Sequence, residues 1–383
     1  MLTITGGTVV DAEGTHSADV AVEDGEIAAV GDVPEAEETI DASGAYVAPG
    51  LIDAHVHLSM DAGPNPEANR HEPVEHAAYV AASNLQTALD AGVTTVRDLG
   101  ARGEVAIQAR EAVADGTLAG PRVHAARQNV VMTGGHGHWF GREADGPAEV
   151  RKAAREQLKG GADVVKCMAT GGVLTEGAGI GAPELTPEEL ATLVDAATAK
   201  GVPTAAHAHG ATGIENAAKA GITSVEHGTF MDRSTAETMA AEGTYWVPTA
   251  SALHGIVDNG VEAGIPEWAV EKAEHAAEAF DDAFDHALAA GVDIAMGTDA
   301  GTPFNAFGDI PTELSYMVEH GLSPDAALEA ATVNAADLLG LDDVGLVDEG
   351  YRADLLVLDS NPLEDPAAWH DPEHVVADGR HHR

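Results

Sequence analysis

Lysine, cysteine and long apolar runs are all scarce in this chain. Of its 383 residues six are lysine and one is cysteine. A single thiol, Cys167, excludes an internal disulfide. No segment reaches the ~18 consecutive apolar residues of a membrane span, and Met1-Leu2-Thr3-Ile4-Thr5-Gly6-Gly7 has no basic stretch leading into an apolar one. The expected location is therefore cytoplasmic, with no membrane partner. Positive charge is short as well: 64 Asp+Glu against 19 Lys+Arg leave a net charge of −45, which argues against nucleic acid as a partner. The apolar fraction, 44%, is ordinary for a globular protein, so the acidity is not that of a disordered chain. The acids run throughout the sequence instead of clustering in one face. That is the pattern of a halophilic protein, since at 1 M salt the Debye length falls to ~3 Å and self-repulsion is screened.

What the chain does have is a regular alternation. Short apolar runs ending in a polar residue are followed by longer helical stretches, the signature of parallel strands whose C-terminal ends share a site. The runs are Ala48–His57, Val93–Arg97, Arg122–Ala126, Val164–Met168, Pro203–His207, Thr223–His227, Tyr245–Thr249 and Val292–Gly297. Eight strands in about 250 residues match a (β/α)₈ TIM barrel. A doubly wound sheet is the alternative, but no Gly-rich dinucleotide fingerprint follows the first strand. Helices are expected over Glu75–Ala91, Pro147–Lys159 and Pro187–Lys200, the last opened by Thr186 as N-cap with Glu189 at N3. Both ends of the chain look β-rich, with Asp24-Gly25 as a hairpin signal. The expected organisation is residues 1–48 and 343–383 as two halves of a small β-sandwich domain, with the barrel over 49–342.

Six side chains close the apolar runs and are potential metal ligands: His55, His57, Lys166, His207, His227 and Asp299. His55 and His57, two apart on a strand, point to the same face and can reach one cation. Lys166 among apolar neighbours is costly as a bare ammonium. Adding CO₂ to the neutral amine would turn it into a carbamate able to bridge two ions. The structural alternative is a lysine that snorkels outward or pairs with Asp163. His207 and His227 end consecutive strands, and His209 shares the face of His207, so that only one of the two need be a ligand. Asp299 could bind a metal and accept the proton of the attacking water, or could simply cap a turn. The segment Thr133–His138 looks like a flexible loop over the site and offers His136. His71, His76, His254, His275, His286, His320, His370 and His374 are expected on the surface. Arg97 and Arg127 are weaker anion-binding candidates, with structural roles favoured. Cys167, next to Lys166 on a strand, should point the other way, into the packing beneath the helices.

At these residues the chain resembles the amidohydrolase superfamily over essentially its whole length. The resemblance is carried by Pro49-Gly50-Leu51-Ile52-Asp53-Ala54-His55-Val56-His57, Thr94–Gly100, Thr133-Gly134-Gly135-His136-Gly137, Val165-Lys166, His207-Ala208-His209-Gly210 and Ser224-Val225-Glu226-His227-Gly228. Within the superfamily it is most similar to the lysine-bearing group of Xaa-Pro dipeptidases (prolidase-like) and imidazolonepropionase relatives. It departs at His209, where several dipeptidase relatives carry tyrosine. The resemblance implies that His55, His57 and Asp299 hold one divalent ion, His207 and His227 a second, and carboxylated Lys166 bridges them. Zn²⁺ suits the histidine-rich set, and Mn²⁺ or Co²⁺ could serve. The expected activity is hydrolysis of a C–N amide bond in a small molecule, a dipeptide (Xaa-Pro-like) or N-acyl amino acid. A metal-bridging hydroxide would attack, Asp299 would act as catalytic base, and His136 and His209 would contact substrate. The alternatives are a cyclic-amide hydrolase, a deaminase, or a catalytically silent binding protein. Native metal, side-chain preference and assembly as a homo-oligomer are left open.

Overall fold

In the computed structural model, which describes residues 1–34, 36–177 and 179–383, the regular alternation folds into a barrel of parallel strands. The first three barrel strands, Leu51–Val56, Val93–Asp98 and Arg122–Ala125, form one three-stranded sheet. The fourth to seventh, Val165–Met168, Thr204–Gly210, Ser224–Phe230 and Tyr245–Val247, pair in sequence order within a second sheet. Between the third and the fourth lies an extra short strand, Val130–Val131, which pairs with Cys167. Helices cover the outside, and the core between them and the strands is dominated by Val, Leu and Ala.

The expected eighth strand, Val292–Gly297, is not a strand. The run still closes the barrel, through isolated bridges pairing Trp246 with Ile294 and Val56 with Ala300. Its hydrogen bonds go alternately to both neighbours: Trp246 N–H to Asp293 O (2.8 Å), Ala295 N–H to Trp246 O (3.0 Å) and Ala54 N–H to Met296 O (2.9 Å). Within the run the Met296 amide goes to Ala330 O (2.8 Å) and not to a strand, and just beyond it the buried Asp53 carboxylate takes the Thr298 amide (3.1 Å) and hydroxyl (2.6 Å). The chain then turns sharply at Asp299, whose φ is 61°.

Both ends of the chain build the small domain. A four-stranded sheet holds Leu2–Thr5, Asp19–Glu23, Glu26–Gly31 and Glu38–Asp41. A six-stranded sheet joins Thr8–Asp11, Gly14–Ser17 and Tyr46–Pro49 to Leu355–Leu358, His374–Ala377 and Arg380–His381. Their buried faces share a core that includes Ile4, Val20, Ile27, Val47, Leu355 and Val376. Asp24 and Gly25 form the expected hairpin turn, both with positive φ (52° and 89°), as the twist of a two-residue turn requires. The expected helices are present as Val74–Asp90, Gly146–Lys159 and Pro187–Thr198. Thr186 and Glu189 cap the last reciprocally. Among the described residues no helix is long and apolar enough to cross a membrane.

Candidate metal centre

Alternation along the strands decides which side chains meet at the barrel's C-terminal rim. His55, Lys166, His207 and His227 all turn inward, and Cys167, out of phase with Lys166, packs in the surrounding core. Burial pushes the Cys167 thiol up to about 12, so it is inert packing. The inward set lines one cavity that opens to solvent and encloses about 760 Å³ of space, its open mouth included. His57, His136, His209 and Asp299 line it too.

Two groups of ligand atoms converge there. His55, His57 and Asp299 form one, and His207, His209 and His227 the other, with the atoms of each group within 4.8 Å of one another. In the first, Asp299 Oδ1 lies 3.3 Å from His55 Nε2 and 3.1 Å from His57 Nε2. In the second, the His207 and His227 ring centroids are 4.6 Å apart and the His209 ring stacks on His227 at 4.9 Å. The groups adjoin, with the His55 and His227 rings 5.2 Å apart. Lys166 shares this cavity, and its side chain is 1% exposed.

Four of the five rings in these groups are oriented from behind. His57 Nδ1 meets Gly100 O at 2.7 Å, His209 Nδ1 meets Thr229 Oγ1 at 2.8 Å, and His227 Nδ1 meets Thr249 Oγ1 at 2.7 Å. His55 Nδ1 lies 3.0 Å from Glu226 Oε2. All four therefore keep Nε2 for the cavity, the arrangement by which ligating imidazoles are usually held. Glu226 is fully buried with Arg97, whose guanidinium reaches it at 3.3 Å and also donates to Ala54 O (2.6 Å) and Ser224 Oγ (3.1 Å). Burial alone would raise Glu226; Arg97, then Lys166 and His55, hold it down to about 2.

The residues fit a cation pair on their own chemistry. His207 Nε2 is buried with no hydrogen-bond partner, and Asp299 Oδ1 has only the Nε2 atoms of His55 and His57 beside it. Leaving an atom such as His207 Nε2 unpaired costs roughly 1–3 kcal/mol, which a coordinated ion would recover. Burial first, and then the neighbouring rings, push His207 and His227 well below the usual imidazole range, so both are neutral donors. Burial opposes the charge on Asp299, but His55 and His57 hold it well below the usual carboxylate range, as an anion. For Lys166 burial dominates and brings it down to about 8, against the pull of Glu226 and Asp299. Asp163, the alternative partner for Lys166, is occupied by Arg110 (2.6 Å) and the Ala125 amide (3.0 Å). Strain concentrates here too: His227, Thr249 and Asp299 carry φ of 68°, 58° and 61°, values that non-glycine residues tolerate where the surroundings impose them.

The remaining sequence expectations divide. His136 reaches the cavity, its ring 4.3 Å from that of His207. The Thr133–His138 loop that carries it is tied down, with Glu184 accepting the His136 amide at 3.0 Å and Asp145 the Thr133 amide at 3.1 Å. Arg97 is structural, as favoured, and so is Arg127, which binds Glu104 (2.8 Å) and Gln157 (3.3 Å). His71, His76, His275 and His370 are exposed, whereas His254, His286, His320 and His374 are half-buried. His320 stacks on Phe284 at 5.0 Å and meets Asp281 at 2.6 Å, because the apolar face of its helix brings it there. Sequence reasoning missed the threonines behind the rings, Thr175, Thr229 and Thr249, and the apolar cavity wall of Trp139, Phe140, Met168, Leu174, Leu253 and Ile256. Neither has a motif; both follow from chain crossings.

Known proteins sharing this arrangement are numerous. A model of the amidohydrolase family matches residues 46–381. The chain is 34% identical over 361 residues to an ochratoxinase of Aspergillus niger, spanning 86% of this chain and 73% of that protein. A crystal structure of a Xaa-Pro dipeptidase with bound methionine superposes with a TM-score of 0.92 at 34% identity, covering 100% of this chain and 99% of that one. A prolidase complexed with N-methylphosphonate-L-proline gives 0.93 at 30% identity, with 100% and 99% covered.

Proposed function

The chain belongs to the amidohydrolase family as a metal-dependent hydrolase of carbon–nitrogen bonds, and within it we propose a binuclear amidase for a dipeptide of the Xaa-Pro type or an N-acyl amino acid. The observation that carries this reading is the pair of adjoining ligand groups, one anionic and one neutral, sharing a cavity with a buried lysine. Similarity to a Xaa-Pro dipeptidase and a prolidase supports the substrate class.

In this reading His55, His57 and Asp299 would hold one divalent ion and His207 and His227 the other, and Lys166, carboxylated by CO₂ with release of a proton, would supply an anionic ligand to both. Zn²⁺ suits the donor set. When bound, the ions supply an acidified water and a polarised carbonyl. The Asp299 carboxylate, whose Oδ1 faces the cavity, accepts the proton of the attacking water and returns it to the amine nitrogen as the C–N bond breaks. His136 and His209 have Nδ1 engaged by Thr175 and Thr229, which leaves each Nε2 for the developing oxyanion or a substrate carboxylate. The apolar wall of Trp139, Phe140, Met168 and Leu174 excludes water and receives a side chain.

The test joins elemental analysis to a substrate panel. Protein purified without chelator should hold about two metal ions per chain and release proline or free amino acid from Xaa-Pro dipeptides or N-acyl amino acids. Two bound ions with no release from either class would overturn the substrate assignment. One ion, with an unmodified Lys166 in its density, would overturn the bridge. Lys166→Ala should lose activity and regain part of it in short-chain carboxylic acids.

A further inference from the structure

The loop after the fourth barrel strand leaves the rim at Thr170 and returns at Pro183, two residues that form an isolated bridge. Its base is closed by Gly171 N–H to Ala182 O (2.9 Å) and Gly181 N–H to Gly171 O (3.0 Å). Its tip carries Val173 and Leu174 into the cavity wall. There Gly172 lies against the site, where an added Cβ would stand 2.6 Å from His136 Nε2 and 2.7 Å from His207 Nε2.

The tip is held from a distant element. Lys272, on the helix Glu267–Ala290, donates from Nζ to Thr175 O at 2.7 Å and to Gly172 O at 3.3 Å. The ammonium also lies 5.3 Å from the Trp268 ring centroid. In a chain with 64 acids and six lysines, this half-buried ammonium is set on two carbonyls of one loop. Charge-assisted bonds of this kind are roughly twice as strong as neutral ones. Thr175 then passes the constraint on, since its hydroxyl meets His136 Nδ1 at 2.8 Å. Glu184 fixes the main chain of His136 but leaves its ring free to turn, and Thr175 sets the ring.

We infer that Lys272 is a positioning residue of this site: it clamps the tip Gly172–Thr175 and, through Thr175, holds the His136 imidazole facing the reacting group. It does not itself line the cavity and touches the site's loop only at Gly172 and Thr175, although its charge also bears on His136 and His209. Only the kinetic arm of the test rests on the amide-hydrolase reading.

Lys272→Met keeps the stem beside Trp268 and removes the donors, and Thr175→Val removes the hydroxyl. Each should lower kcat about 10-fold at unchanged metal content, since a displacement of about 1 Å can cost up to ~10²-fold. The double variant should lose no more than about twofold beyond the worse single one, because both changes break one chain of contacts. Losses that multiply would show independent action and overturn the inference. The second arm needs no substrate. A crystal structure of metal-loaded Lys272→Met should show the His136 ring turned away from Thr175, or the tip displaced by about 1 Å or more, with the six candidate ligands in place. An unmoved ring and tip would overturn the inference. If the wild type cleaves no amide, the substrate reading fails by itself and this second arm decides.

Discussion

Behind His55 stands Glu226, itself held by Arg97; behind His209 and His227 stand the hydroxyls of Thr229 and Thr249. The first half of the site is thus backed by a buried ion network and contains its own carboxylate, Asp299, while the second is imidazole and hydroxyl throughout. The electrostatic consequence is opposite in sign. Burial depresses His57, yet hydrogen bonding and charge from Asp299, with Asp98 behind, leave it raised overall. His207 has no such compensation and His227 too little from Asp299, and both fall well below the usual range. An ion in the first half would meet charge, and one in the second would meet neutral donors. Two seats on one rim are therefore chemically unequal, which suits the proposed reaction, in which a proton is accepted and a carbonyl polarised. Strain does not follow this division, since Asp299 lies in one half and His227 and Thr249 in the other.

The sharpest way to break the comparison is to remove the charge behind the first half. Glu226→Gln leaves Arg97 buried without its counter-ion, and breaking such a pair typically costs about 3–5 kcal/mol. Denaturant unfolding should show that loss, and metal analysis should show depletion to about one ion per chain. Unchanged stability and full occupancy would mean that Arg97 is neutralised by another group, with Asp53, the other carboxylate whose charge acts on it, the first alternative. Next in size is Asp299→Asn, which keeps an oxygen at the site but no base. It should lower kcat at least ~10²-fold with metal retained. Near-normal turnover at full occupancy would place the proton acceptor elsewhere.

A smaller effect is expected in the second half. Thr249→Val removes a neutral partner of His227, so metal affinity should fall by about 10-fold, at the low end for such outer contacts, and stability by about 1 kcal/mol. If Thr249→Val cost as much as Glu226→Gln, the two halves would be equivalent and the comparison would fail.

The barrel and the inward placement of most of the six candidate ligands were legible because both depend on period. Strand alternation puts every second residue on one face, and apolar runs ending in His, Lys or Asp announce the rim. Val292–Gly297 was misread because partners far off in sequence take amides in and after it: Ala330 accepts from Met296, and Asp53, some 240 residues away, from Thr298. His320 was misread for a related reason: its surroundings, Phe284 and Asp281, sit on another helix. Thr175, Thr229 and Thr249 had no motif, since an isolated threonine acquires a role only from the ring it meets. Glu226 stood inside a quoted motif, but its purpose is visible only with Arg97 beside it.

Salt should affect the two halves least of all. The net charge of −45 resides mainly in exposed carboxylates, while His55, Lys166, His207 and Glu226 are each no more than 5% exposed. At 1 M KCl the Debye length is ~3 Å, which screens exposed charges from one another and leaves contacts inside the site almost untouched. Stability should therefore rise with KCl into the molar range as surface repulsion is screened. The ratio of kcat/KM between two uncharged-side-chain substrates should change by less than about twofold, because neither half of the site exchanges its neighbours for ions. A protein fully stable without salt would refute the adaptation. A preference for cationic substrates that faded as KCl rose would show the surface acids reaching into the cavity, where steering by their field, and not the unequal seats alone, would be selecting the substrate.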